Sequence, residues 1–109
     1  MAYDEGLAER IREQLVDVTA VTEKKMFGGL SFLVQGNMAC GVIGTDMVVR
    51  VGKEQYTEAM LHPHSREMDF TGRSMKGWVY VGEEGYERDV DLAEWVQMGV
   101  EHARSLPSK

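Results

Sequence analysis

Leu7, Ile11, Leu15 and Val18 recur at spacings of four, four and three, which puts them on one face of a helix. Asp4 stands where its carboxylate can cap that helix. Glu9, Arg10, Arg12, Glu13 and Asp17 fall mainly on the other faces. The β-branched run from Val18 to Thr22 then weakens the helix and leads into extended chain.

From Glu23 the pattern turns to strand and turn. Glu23 to Phe27 reads as a strand broken by Gly28-Gly29. Leu30, Phe32 and Val34 alternate with Ser31, Leu33 and Gln35, a period of two. Gly36-Asn37 is a turn dipeptide, Met38 to Ile43 the next strand, and Gly44-Thr45-Asp46 the next turn. Met47 to Val51 follows, with Met47, Val49 and Val51 on one face. The links are too short for parallel crossovers, so these segments form an antiparallel meander.

Lys53 to Leu61 reads as a short helix with Tyr56 and Met60 one turn apart, ended by Pro63. Glu67 to Phe70 and Gly77 to Val81 read as two further strands joined through Thr71-Gly72-Arg73-Ser74, with Trp78 and Tyr80 alternating with Val79 and Val81. Gly82 to Tyr86 reads as loop. Asp89 is placed to cap a last helix with Leu92, Trp95, Val96, Gly99, Val100, Ala103 and Leu106 on one side, and Pro107 stops it. The order is written α-β-β-β-α-β-β-α. It implies a two-layer α+β domain, 1–109, with an antiparallel sheet carrying helices on one face. The other face, assigned Ser31, Leu33, Ala39, Gly41, Ile43, Val48, Val79 and Val81, is apolar enough to want cover from a second copy or a partner protein.

Charge refines this picture. The 109 residues carry a net charge of −6, which argues against free-standing DNA binding. The charge is uneven: −3 over residues 1–19, +1 over 20–82 and −4 over 83–109. The acidity belongs to the terminal helices, and the sheet region is near neutral with local basic clusters. No apolar run approaches the roughly 20 residues of a membrane span. The N-terminus lacks the basic and apolar regions of a signal peptide. The single cysteine, Cys40, points to a reducing, cytoplasmic setting.

Little here carries chemistry. Gly28-Gly29 lacks the longer pattern of a phosphate loop and reads as a glycine bend. Cys40 alternates with Met38 and Val42 and reads as a buried thiol rather than a partner of His62 or His64. His62-Pro63-His64 has no companion ligand at zinc spacing, so neither a metal nor another cofactor is expected. His102 reads as a surface residue near a helix C-terminus, where positive charge is favoured. Trp78 and Trp95 read as core. The candidate binding set is Lys24, Lys25, Arg50, Arg73 and Lys76, which on one face would hold a phosphate, an acidic helix or a nucleic-acid backbone. The competing reading is a solvated set of charges guarding sheet edges.

The segment Lys24-Lys25-Met26-Phe27-Gly28-Gly29-Leu30-Ser31-Phe32, continued by Gly36-Asn37-Met38, Gly41-Val42 and Val49-Arg50-Val51, resembles the signature of the TfoX (Sxy) N-terminal-domain family. Met68-Asp69-Phe70-Thr71-Gly72-Arg73-Ser74-Met75-Lys76-Gly77-Trp78-Val79-Tyr80-Val81 is similar to the same family's later motif. The resemblance implies an α+β fold like that of type III secretion chaperones. It also implies kinship with natural-competence regulators that act as coactivators beside a cyclic-AMP receptor protein. Those regulators carry a second, C-terminal domain, and this chain is expected to be a stand-alone N-terminal-type member. The family offers no established active site to carry over. The expectation is a non-enzymatic regulatory or adaptor protein that meets a protein partner, transcription machinery included, or a second copy of itself. The alternative is a module that binds a phosphorylated small molecule or a nucleic-acid backbone.

Overall fold

Asp4 opens the first helix as its spacing requires: its carboxylate accepts from the backbone N–H groups of Gly6 and Leu7 at 2.9 and 3.2 Å. The computed structural model describes residues 3–26, 28–70 and 73–107, and only the backbone of 68–70 and 73–76. Helix α1 (Glu5–Gln14) buries Leu7, Ala8 and Ile11, and Leu15 follows at its C-cap. Four strands come next: β1 (Val21–Met26), β2 (Gly29–Val34), β3 (Asn37–Ile43) and β4 (Asp46–Arg50). Then follow α2 (Lys53–Met60), β5 (Ser65–Phe70), β6 (Arg73–Val81), α3 (Glu83–Tyr86) and α4 (Asp89–Ser105).

The fold is α+β as expected, with a six-stranded, fully antiparallel sheet in the order β1-β2-β3-β4-β6-β5. The meander β1 to β4 holds four strands, one more than the written order carries and the number of strand segments read along the chain. After β4, α2 carries the chain to the far edge, and β6 returns to lie between β5 and β4.

Helices α1, α2 and α4 cover one face. Phe32, Val34, Val42, Met47, Val49, Val79 and Val81 meet Ile11, Ala59, Leu92, Trp95, Val96 and Val100 there, all buried. Arg10 locks the layer from outside. Its guanidinium donates to the carbonyls of Tyr86 and Glu87 at 3.0 and 2.9 Å and to the Asp89 carboxylate at 3.1 Å. The Tyr86 hydroxyl donates to the Thr45 carbonyl at 2.6 Å, and burial pushes its pKa up to about 12.

Four local expectations change. The β2–β3 turn centres on Gln35 and Gly36, both at positive φ. Asn37 belongs to β3, where its buried amide donates to the carbonyls of Ala103 and Pro107 at 3.3 and 3.0 Å. The segment read as loop before the last helix contains α3. It forms because Tyr86 has a buried position to occupy, a tertiary gain that local propensity does not show. Arg88, not Asp89, is the N-cap of α4, and Asp89 is instead the first helical residue and the ion-pair partner of Arg10. Finally, Val79 and Val81 face the helices, because they pair with Val49 and Met47. Ala39 joins the same core at the register shift opposite Phe32 and Leu33. Met38, Val48, Ile43, Trp78 and Tyr80 form the other face. Val48 and Met38 are buried by their own neighbours there. The strongly exposed large apolar side chains among the described residues, Val16, Leu61 and Val90, belong to other segments. This weakens the case for cover built on an open apolar face.

Candidate functional site

At the end of β4 the chain must turn from strand into α2 within two residues. The N–H groups of Val51 and Gly52 both donate to the carbonyl of Gly77 on β6, at 2.8 and 3.0 Å. Gly52 sits at φ 86°, ψ 160° and Gly77 at φ 94°. Gly52 thus occupies a backbone region open essentially to glycine alone. A Cβ on Gly77 would lie 3.2 Å from the Gly52 carbonyl carbon, and a Cβ on Gly52 would lie 2.5 Å from Nδ1 of His102 on α4. The two glycines let β4, β6, α2 and α4 meet at one corner.

Beside this corner lies a cleft of about 960 Å³, open to solvent. One wall is Arg50, Gly52, Gly77, Trp78 and the first turn of α2. The other is the outer side of α4, from Glu94 to Leu106. Arg50 is opposite Trp78 in the sheet register, and its guanidinium lies 5.2 Å from the Trp78 ring centroid. Arg50 and Lys53 supply positive charge, whereas Glu54, Glu94 and Glu101 supply negative charge. His102 has its pKa lowered, first by desolvation against the corner and then by the Arg50 charge, with Glu54 opposing. It is therefore a half-buried imidazole held toward the neutral form, not a surface residue whose charge is favoured.

Of the five basic residues expected to form a set, the three whose side chains are described do not meet at one spot. Lys24 and Lys25 are exposed neighbours on β1, the outer strand, so they point to opposite faces. Arg50 lies three strands away on β4, about 14 Å at ordinary strand spacing. Arg73 and Lys76 belong to β6, and their side chains lie outside the described residues. Trp78 is half-buried on the face away from the helices, correcting its reading as core, and Trp95 is buried as expected. The alternation of Trp78 and Tyr80 with Val79 and Val81 was visible in the sequence. Which parity faces the helices depends on the register with β4.

Other candidates resolve simply. Cys40 is fully buried in the helix-side core, and burial pushes its thiol up to about 12, so it is no nucleophile at neutral pH. His62 packs against Trp95, ring centroids 4.8 Å apart. No group of three metal-ligating side chains occurs among the described residues. Gly28 turns the chain at φ 77°, and β2 follows it, so no helix opens there to receive a phosphate.

No curated protein and no solved structure matches the chain. The family model of the TfoX N-terminal domain matches residues 13–103, which include β1 to β4, the glycine corner and most of α4. The chain, α+β as that resemblance implied, belongs to the TfoX N-terminal domain family.

Proposed function

We propose that this protein is a small, non-enzymatic regulatory or adaptor module of the cytoplasm, working by protein–protein recognition. Membership of the TfoX N-terminal domain family is the observation that carries this reading. The cleft supports it: a shallow surface with a tryptophan, an arginine and a carboxylate-lined helix suits a partner segment of mixed charge. The inert, buried Cys40 supports it too, by removing the most reactive side chain from the surface. Transcription machinery is the partner class we favour. The test is affinity capture from the native cell, washed at moderate and high salt. Recovery of RNA polymerase or a DNA-binding activator, lost when Trp78 is replaced by alanine, is the expected result. A metabolic enzyme, or no partner, counts against it.

A second reading is anion binding, of a phosphorylated small molecule or a nucleic-acid backbone. The observation favouring it is the placement of Arg50 and Lys53 on the sheet-side wall of the cleft, apart from the carboxylates of α4. Titration with inorganic phosphate and with nucleotides, read by the backbone amide shifts of Gly52 and Gly77, distinguishes the two.

A further inference from the structure

The face of the sheet away from the helices has a chemistry that neither the composition nor the cleft discloses. One row of paired residues crosses all six strands: Lys24, Ser31, Gly41, Val48, Tyr80 and Arg66. Directly opposed residues of antiparallel strands share a face. Basic residues therefore stand at both ends of this row, with small or buried side chains in the middle. The Arg66 guanidinium lies 5.2 Å from the Tyr80 ring centroid and pairs with Asp46 at 2.7 Å. The neighbouring row carries the Arg50–Trp78 stack at 5.2 Å. Trp78 and Tyr80 are alternate residues of β6, so the two stacks stand about 6.6 Å apart along the strand.

We propose that this face binds a single strand of nucleic acid, its bases stacking on the two arginine–aromatic pairs and its phosphates meeting Lys24, Arg50 and Arg66. Charge complementarity selects a polyanion: among the described residues these two rows hold three cations and no carboxylate, with Asp46 in the adjoining row paired to Arg66 and the cleft carboxylates Glu54, Glu94 and Glu101 beside Arg50. The stacks select a polyanion with planar groups, because guanidinium and aromatic faces both accept unstacked bases. A duplex keeps its base faces inside, and an acidic peptide has few planar groups to offer. The acidic helices lie on the opposite layer and reach this face at the cleft beside Arg50, through Glu54, Glu94 and Glu101, so the net charge of −6 weakens binding there without blocking the row from Lys24 to Arg66. The proposal deepens the anion-binding reading above and rests on it.

The test is titration of the full chain with an oligothymidylate of about 20 nucleotides, long enough for one such site. Binding is read by anisotropy of a labelled strand and by quenching of tryptophan fluorescence. Trp95 is buried on the core side of α4, so quenching reports on Trp78. The expected results are saturable quenching and a loss of affinity of roughly twentyfold from about 50 to 200 mM salt, from three phosphate contacts. Tyr80→Ala weakens binding by roughly tenfold or more, whereas Tyr80→Phe leaves it intact. Trp78→Phe binds without the quenching. Arg66→Glu, at an exposed position with little folding risk, also weakens binding. Anisotropy change without quenching, matched by heparin and indifferent to Tyr80→Ala, overturns the proposal while leaving the anion-binding reading in place. Equal affinity for duplex overturns it as well. No binding of any polyanion at low salt overturns both.

Discussion

Gly52 and His102 show how single residues shape the candidate site. Gly52→Ala puts a Cβ into the His102 ring and forces alanine into a glycine-only backbone region. The expected loss is about 1–3 kcal/mol from backbone strain alone, measured by urea unfolding. His102 is expected to titrate below 6.5 in the folded protein by proton NMR. The sign follows from proton linkage. The unfolded chain binds the His102 proton more readily than the fold does. Its contribution is therefore intact above the ordinary pKa of 6.5 and declines as pH falls from there toward the folded value. Arg50→Gln raises the titration point by removing a nearby positive charge. Asp4 as a cap, Cys40 as a buried thiol and Trp95 as core were legible in the sequence, because local pattern decides them. His102 and Trp78 were not. Both depend on a corner assembled from four elements distant along the chain.

The packing of α4 on the sheet explains why its apolar stripe contains a glycine. A Cβ at Gly99 would lie 2.3 Å from the Ala39 carbonyl oxygen, so the helix backbone rests against β3 itself. Alanine gains about 1 kcal/mol of helix propensity. Overpacking costs about 1–3 kcal/mol, so Gly99→Ala is expected to lower the thermal midpoint despite the better helix former. Helix α1 is tied to β1 by Arg12, whose guanidinium holds both carboxylate oxygens of Glu23 at 2.7 and 2.8 Å and also reaches Glu9. The hydrogen bonds from Arg12 lower the Glu23 pKa, so this tie is present at neutral pH and is lost as pH falls through the folded value. Both side chains are more than a third exposed, which limits the tie to about 1 kcal/mol. Glu23→Gln is expected to lose no more than that at neutral pH in chemical denaturation, and nothing once the wild-type carboxylate is protonated. Nine elements were legible by their periods and turn residues. The tenth, α3, has only four residues, too few to show a period.

In the whole molecule, the sheet separates two chemistries. The helix layer carries most of the carboxylates, and the opposite face carries Lys24, Arg50 and Arg66 with two aromatic rings. Because Met38 and Val48 are already buried on that face, little apolar area is left to drive self-association. Light scattering of a dilute solution is accordingly expected to return the mass of one chain, 12.3 kDa. A mass of two chains would restore the argument for a second copy. The sequence by itself determined the fold class, the meander, the terminal helices and the uneven charge. Periodicity, turn dipeptides and local composition are properties of neighbouring residues. Only the tertiary structure decided which parity of β6 faces the helices, that Arg50 meets Trp78 and Arg66 meets Tyr80, and that Lys24 and Lys25 diverge. Those facts follow from strand register. Register is set by packing the whole sheet against its helices, where a slip of one residue moves every side chain to the other face.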